Sequence, residues 1–325
     1  MMNPIRNILV AVKHPAAETL PAVTKAALIA RACGAHVELF HAIKATAYAD
    51  SPAAYEAAVS DLHATQRNQY EQRLERIAAR LRLHGIQVST AVEYDYPASD
   101  AIIRRAGAMH ADLIVARRNP HRRSGTLSPR HLTDWELLRN SPIPVLLVGA
   151  SRVYHHPTIL AAVDPGQAHS KPAGLDEAIL STAALLSQAL RGKLHVVHAY
   201  APVVMGSAAG SVSASVGNRL EALASSEANM QFEQLLQGRN IPPARRHLVG
   251  KLPDRAISGI ARRTRAGIVV LGALSRSGLK GFFIGNTAER VLEELPCDVL
   301  IVKPAQFTCR VPQRGNGLRL VSKAL

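Results

Sequence analysis

The stretch that decides the fold is Val269-Val-Leu-Gly-Ala-Leu-Ser-Arg-Ser-Gly-Leu-Lys-Gly-Phe-Phe-Ile-Gly-Asn-Thr-Ala-Glu-Arg290, followed closely by Pro296-Cys-Asp-Val-Leu-Ile-Val302. The apolar run Ile268 to Leu271 predicts a buried parallel strand, and a polar loop containing glycine comes after it. Gly285 and its neighbours then open a helix, which Pro296 ends because proline cannot continue the backbone hydrogen bonding. The sequence therefore predicts a strand, a glycine loop, a helix and a second buried strand, Val299 to Val302.

This arrangement of loop and helix is a potential phosphate site. Free backbone N–H groups and the positive end of the helix dipole lie at a helix N-terminus, and glycine allows a ligand to approach the backbone closely. Two residues separate Gly272 from Ser275, and nine separate Ser275 from Gly285. The residues predicted to hold phosphate groups are Gly272, Ser275, Gly285, Asn286 and Thr287.

The spacing resembles the ATP-binding signature of the universal stress protein family, which has glycine at the equivalents of Gly272, Ser275 and Gly285. The family then has serine or threonine where this chain has Asn286. Ser275 can still donate a backbone N–H, and Asn286 can cap the helix. The Gly-Asn-Thr-Ala-Glu run and the ending Val-Leu-Ile-Val-Lys-Pro are most similar to the tandem, E-type branch. The alternative is a loop that keeps its shape but binds nothing.

The chain contains an internal repeat. Ile159–Val163 matches Ile8–Val12, the pair His198-Ala199 matches His41-Ala42, and the offset stays near 150 residues. Such an offset indicates domain duplication. The predicted fold is α/β, with two tandem doubly wound five-stranded parallel sheets, in domains 1–150 and 157–306 and a basic, disordered tail at 307–325. The resemblance implies strand order 3-2-1-4-5 in each sheet.

Two connecting stretches have little periodic pattern. Residues 46–60 are predicted to be irregular ahead of a long charged helix at 61–83, which Gly85 stops. Residues 201–217 are rich in Gly, Ser, Ala and Val and are predicted to form a flexible connection.

Two further residues of the second repeat are ligand candidates. Asp164 directly follows the strand Ile159–Val163, and the resemblance implies that it contacts the nucleotide. The alternative reading of Asp164 is a turn or cap residue in Asp-Pro-Gly. The resemblance also places the backbone of Ala199 against adenine. The implied ligand of the second domain is ATP or a related adenine nucleotide.

The first repeat carries different residues at the same places. Lys13 stands where the second repeat has Asp164, Arg117 replaces Gly272, and His131-Leu132 replaces Gly285-Asn286. The phosphate site is therefore predicted to be missing, which leaves the first domain as a scaffold or partner surface. The single tryptophan, Trp135, is predicted to be a packing residue.

The composition limits the possible functions. The formal net charge is +15, so the alternative function is a non-nucleotide module that binds nucleic acid, anionic lipid or an acidic protein through its basic surface. Apolar runs are too short to span a bilayer, and no secretion signal is recognisable, so a cytoplasmic location is expected. The three cysteines lack metal-binding spacing. No catalytic constellation or pyrophosphate motif is recognisable, which predicts slow ATP hydrolysis at most and disfavours an adenylating enzyme.

The last strand of each repeat is wholly aliphatic. Val145–Val148 and Val299–Val302 would each be the edge of a 3-2-1-4-5 sheet, and exposed apolar edges are normally paired or covered. The sequence therefore predicts an intrachain pseudo-dimer in which these two strands pack antiparallel. A homodimer through other faces stays open.

Overall fold

The computed structural model describes residues 4–44, 53–119, 133–149, 152–167, 174–201, 214–273, 290–292, 294–309 and 311–312. The chain divides into two compact units, which correspond to the two repeats and are treated separately below. The first unit is built on Ile5–Ser151 and the second on Arg152–Phe307. The described tail residues, from Thr308 on, group with the first unit.

The first unit contains a five-stranded parallel sheet. Its neighbouring strands follow the order β3-β2-β1-β4-β5, which confirms the predicted order 3-2-1-4-5. Ile8, Leu9 and Val10 of the central strand are fully buried, as expected for a parallel strand with both faces covered. The strands are β1 (Asn7–Ala11), β2 (His36–Ile43), β3 (Val88–Tyr94), β4 (Leu113–Arg117) and β5 (Val145–Val148).

Four helices connect these strands: α1 (Pro21–Cys33), α2 (Ala53–Leu83), α3 (Ala98–Ala108) and α4 (Thr133–Asn140). Helix α1 has proline in its first turn and ends at Gly34, whose φ of 67° is a left-handed conformation that glycine adopts easily. The irregular conformation predicted for residues 46–60 is wrong from Ala53 on, because α2 begins there. The alanine-rich run that opens this helix has high intrinsic helix propensity. Residues 46–52 lie outside the described part.

The second unit repeats the same topology. Its neighbouring strands follow the order β8-β7-β6-β9-β10, all parallel, which again corresponds to 3-2-1-4-5 within the repeat. The strands are β6 (Thr158–Val163), β7 (Lys193–Tyr200), β8 (Arg246–Gly250), β9 (Ala266–Gly272) and β10 (Asp298–Val302). The helices with described bounds are α5 (Leu175–Ala189), α6 (Ala214–Leu236) and α7 (Pro253–Arg263). Residues 290–292 and 294 are also helical.

The stretch 201–217 differs from its prediction at its end. Helix α6 begins at Ala214, so the predicted flexible connection is wrong over its last four residues. Residues 202–213 lie outside the described part, and Ala201 has no regular structure. In the segment between the repeats, the Tyr154 hydroxyl donates to Asp298 Oδ2 over 2.6 Å, which anchors this segment to the start of β10.

Part of the tail contacts the first unit. Val311 is buried, and Arg104 donates a hydrogen bond of 3.2 Å to the carbonyl of Pro312. Residues 310 and 313–325 lie outside the described part, so the predicted disorder there stays a prediction. None of the helices in the described ranges is long and apolar enough to cross a membrane.

Candidate functional site

In the second unit the ends of two neighbouring strands bring predicted ligand residues together. Strands β6 and β9 are paired in parallel with Ala161 opposite Val270, so Asp164 and Gly272 lie at the same carboxyl edge of the sheet. The Asp164 backbone N–H donates to Asp176 Oδ1 at the start of α5, over 3.1 Å. That bond fixes the turn after β6, while 46% of the Asp164 side chain stays exposed. The carboxylate is therefore accessible to a ligand at this edge.

The end of β7 adds two residues to this edge. His198 pairs in register with Val163, so Ala199 follows at the edge where Asp164 lies. The buried His198 ring places Nδ1 3.3 Å from the Val163 carbonyl oxygen and 4.0 Å from Asp164 Oδ1. The structure therefore brings Asp164, Ala199 and Gly272 to one edge of the sheet.

Gly272 has a packing role that the sequence did not reveal. A Cβ atom added there would lie 2.7 Å from Leu175 Cδ2 and 3.1 Å from Ile179 Cδ1. The missing side chain at Gly272 thus leaves room for Leu175 and Ile179 of helix α5 to pack against the end of β9, whether or not a ligand binds. The other predicted loop residues lie outside the described part: Ser275, Gly285, Asn286 and Thr287.

The corresponding edge of the first unit contains a cavity of about 260 Å³. Residues at or just beyond the carboxyl ends of β1, β2 and β4, together with the first turns of α3 and α4, form its walls. Lys13 and Arg117, which replace Asp164 and Gly272 of the second repeat, both line it. The sequence predicted that this edge lacks a phosphate site, but it did not predict a cavity.

A hydrogen-bond network fixes one wall of this cavity. Asp134 is buried and accepts bonds from the Asn119 backbone N–H and Asn119 Nδ2, both over 3.0 Å, and from the Trp135 N–H over 3.2 Å. Lys13 Nζ donates to Asn119 Oδ1 over 2.9 Å. A carboxylate at the start of a helix is also stabilised by the helix dipole. Asn119 and Asp134 were not recognised as site residues. They are 15 residues apart in the chain, and their contact cannot be inferred from that spacing.

A histidine occupies the same place at both edges. In the first unit His41 Nδ1 lies 2.7 Å from the Val12 carbonyl oxygen, and the ring packs on Tyr70 with centroids 4.4 Å apart. In the second unit His198 makes the equivalent contacts with Val163 and Phe232. Burial lowers the pKa of His41, and its bond to Val12 partly opposes that effect. The repeated His-Ala pair was the signal in the sequence, although it was used only to align the repeats.

Metal-binding residue types and the single tryptophan were also considered as parts of a site. Within the described ranges, no group of three or more His, Cys, Asp or Glu side chains could hold a metal ion. Trp135 is buried, with 3% of its surface exposed, which agrees with the packing role predicted for it.

The comparisons with known proteins identify relatives of both repeats. The model of the universal stress protein family matches residues 4–149 and 156–303. Universal stress protein E of Photorhabdus laumondii is 28% identical over 310 residues, covering 94% of this chain and 97% of that protein. Universal stress protein E of Escherichia coli K12 is 30% identical over 228 residues, covering 69% of this chain and 70% of that protein.

A solved structure is similar along nearly the whole chain. A functionally unknown protein from Pseudomonas aeruginosa PAO1 superimposes with a TM-score of 0.70 and 28% identity, covering 93% of both chains. A universal stress protein from Archaeoglobus fulgidus, 15% identical with a TM-score of 0.58, shows the same fold and covers 91% of this chain and 98% of that one.

Proposed function

The chain belongs to the universal stress protein family, and from that membership we propose that it is a stress-response regulatory protein whose second domain binds ATP or a related adenine nucleotide. The first domain then serves as a scaffold or partner surface. Because no general base was recognised in the sequence, turnover of the bound nucleotide is proposed to be slow or absent.

The observation that carries this proposal is the shared edge of β6 and β9. Asp164 directly follows β6, and Gly272 ends the neighbouring parallel strand β9. Ligands of open α/β sheets bind outside such carboxyl ends. The sequence that follows Gly272 resembles the family's ATP-binding signature, with Ser275, Gly285 and Asn286 at its positions. An exposed carboxylate suits the hydroxyl groups of a ribose, and backbone N–H groups suit the phosphates.

The direct test is to look for nucleotide that stays bound during purification. The full chain is purified without added nucleotide, denatured, and analysed by mass spectrometry for adenine nucleotides. Thermal unfolding is then followed with and without ATP, because a ligand that binds only the folded state raises the midpoint. The proposal expects retained nucleotide, or a higher midpoint in ATP. Absence of both would contradict it.

We also propose that the final strands, β5 and β10, join the two repeats as a pseudo-dimer. Both are wholly aliphatic, and a short linker keeps their effective concentration high, in the millimolar range or above. Cysteines introduced by Leu147→Cys and Leu300→Cys should form a cross-link within one chain. A chain in which only intermolecular cross-links form would contradict the arrangement.

A second candidate function rests on the net charge of +15. In this alternative the basic surface binds nucleic acid, anionic lipid or an acidic protein. Such binding must weaken steeply as salt rises, because counterions are released. Binding to a duplex DNA probe or to anionic vesicles that is strong at about 50 mM salt and lost at about 200 mM would support it. No binding at low salt would exclude it.

A further inference from the structure

We propose that the cavity at the carboxyl edge of the first unit binds a small amphipathic anion, of the size of a phenyl-substituted short carboxylic acid. This goes beyond the proposed function, which assigns only a scaffold or partner role to the first domain. It concerns a different ligand class and residues of the first repeat alone.

The inner walls of the cavity are apolar. Phe40, Ile102, Ala116 and Leu137 line it, and each is 5% exposed or less. The volume of about 260 Å³ exceeds the ~150 Å³ at which an apolar cavity already accepts benzene. The space therefore suits one ring and a short chain, which amounts to roughly ten non-hydrogen atoms on the same scale.

The mouth of the cavity is cationic. Lys13 and Arg117 line it and are exposed. Asp134 is the lining carboxylate, but it already accepts bonds from Asn119 and from the Trp135 N–H. Asn119 also holds the Lys13 ammonium in place over 2.9 Å. An anionic head group at the mouth would meet positive charge, with its apolar body inside.

The same residues disfavour an adenine nucleotide at this edge. Arg117 and Lys13 stand where the second repeat has Gly272 and Asp164, so the glycine and the ribose-binding carboxylate are both replaced. The volume of about 260 Å³ also lies below the ~300–1,000 Å³ of pockets that enclose drug-sized ligands. The two edges thus present groups of opposite charge to a ligand.

The test uses the full chain and 3-phenylpropionate as the probe. The single tryptophan, Trp135, directly follows Asp134 at the cavity wall, so its fluorescence reports on binding there. The neutral analogue 3-phenylpropanol has nearly the same shape but no charge. We expect saturable binding of the acid with a Kd below about 1 mM and at least about tenfold weaker binding of the alcohol. No saturable binding of the acid, or equal binding of both compounds, overturns the proposal.

Variants locate the site. Lys13→Gln should weaken 3-phenylpropionate binding about tenfold, whereas Arg31→Gln is the matched control: it removes one exposed positive charge at the far end of α1. Ala98→Leu places a larger side chain at the lining residue that begins α3 and should abolish binding. Thermal unfolding checks that each variant is folded. If Lys13→Gln binds as the parent does, or if ATP displaces the probe, the proposal is wrong.

These outcomes are separable from those of the proposed function. Retained nucleotide with no binding of 3-phenylpropionate would overturn only the inference about the first unit. Binding of 3-phenylpropionate, together with neither retained nucleotide nor a thermal shift in ATP, would overturn only the ATP proposal.

Discussion

At the carboxyl edge of the first sheet, Lys13 is held by Asn119, and Asn119 in turn is held by Asp134. At the same edge of the second sheet, Asp164 is half-exposed and Gly272 leaves room for helix α5. Below both edges a buried histidine, His41 or His198, lies with its ring nitrogen against the carbonyl at the end of the first strand. The supporting structure is thus shared, whereas the groups available to a ligand are not.

The difference between the two edges indicates which residues of a duplicated domain can be substituted without loss of the fold. The strand interiors and the histidines contact the core, where substitutions cost packing energy. The residues just beyond the strand ends contact solvent or ligand, so one repeat can carry a lysine and an arginine where the other carries an aspartate and a glycine.

Gly285→Val should remove nucleotide binding from the second repeat. A branched side chain would stand where phosphate is proposed to approach the backbone, and we expect affinity for ATP to fall at least about 100-fold. Gly259→Val is the matched control, since Gly259 lies on α7 with open space around its Cα. Calorimetric titration with ATP gives the measurement. Unchanged ATP affinity of Gly285→Val would show that the phosphate site is assigned wrongly.

Gly272→Ala should destabilise the second unit by about 1–3 kcal/mol, because the new methyl group would overpack Leu175 and Ile179. In a background with Leu175→Val, which shortens the crowded side chain, the same change should cost less. Gly259→Ala should be neutral or stabilising, since alanine is the better helix former. Denaturant unfolding of the parent, the two single variants Gly272→Ala and Leu175→Val, and the double variant completes the cycle. Equal costs of Gly272→Ala in both backgrounds would refute the packing role.

Asp164→Ala should weaken ATP binding about tenfold, less than Gly285→Val does, because one hydrogen-bonding side chain is lost and the backbone site remains. Lys13→Ala, at the equivalent position of the first repeat, should leave ATP affinity unchanged. For 3-phenylpropionate, Lys13→Ala should weaken binding and Asp164→Ala should leave the affinity unchanged. If both substitutions weaken ATP binding alike, the two edges do not differ as described.

Acidification should destabilise the second unit more than the first, because burial lowers the pKa of both His195 and His247 in the second unit, whereas His41 is the one such case resolved in the described part of the first. In the first unit, Glu38 of β2 is paired with Arg105 of α3 through two hydrogen bonds of 2.6 and 2.8 Å. The equivalent place in the second sheet has His195 Nδ1 2.9 Å from His247 Nε2, with Arg263 bonded to His247. Burial, and then the neighbouring His195 and Arg263, lower the pKa of His247 to about 4.

The sign follows from proton binding. A histidine with a folded pKa below its unfolded value takes up its proton more readily when unfolded, so stability falls as pH drops from about 6.5 towards 4. Because water screens these half-exposed rings, we expect only about a 2–4 °C loss in Tm. Hydrogen exchange at pH 7.5 and 5, corrected for the intrinsic rate, should show faster opening of β7 and β8 than of β2 and β3. His247→Gln should reduce that difference, and equal opening of both pairs would contradict the prediction.

The sequence predicted the sheets well because buried parallel strands are continuous apolar runs with sharp ends. Val145–Val148 was predicted with the bounds that the structure has, and the predicted strand Ile268 to Leu271 forms the centre of β9. The prediction failed at the start of a helix, where only the local amino-acid composition was informative. The early start of α2 at Ala53 was missed because the run 46–60 has no clear apolar period.

The candidate site was predictable only in part. Asp164 and Gly272 could be placed because each ends a recognisable strand. The cavity of the first unit could not, because it depends on Asn119 and Asp134 meeting across 15 residues of chain. The packing of Leu175 against Gly272 could not be predicted either. The sequence alone does not distinguish a glycine that binds a ligand from a glycine that makes room for a helix.

The most direct test of the account asks which repeat holds the nucleotide. The full chain is labelled with 8-azido-ATP under ultraviolet light, with and without excess ATP, and the labelled peptides are identified by mass spectrometry. We expect the label in peptides of residues 157–306, near Asp164 and Ala199, and we expect ATP to suppress it. Label in peptides of residues 1–150 that ATP suppresses, or no such label at all, would contradict it.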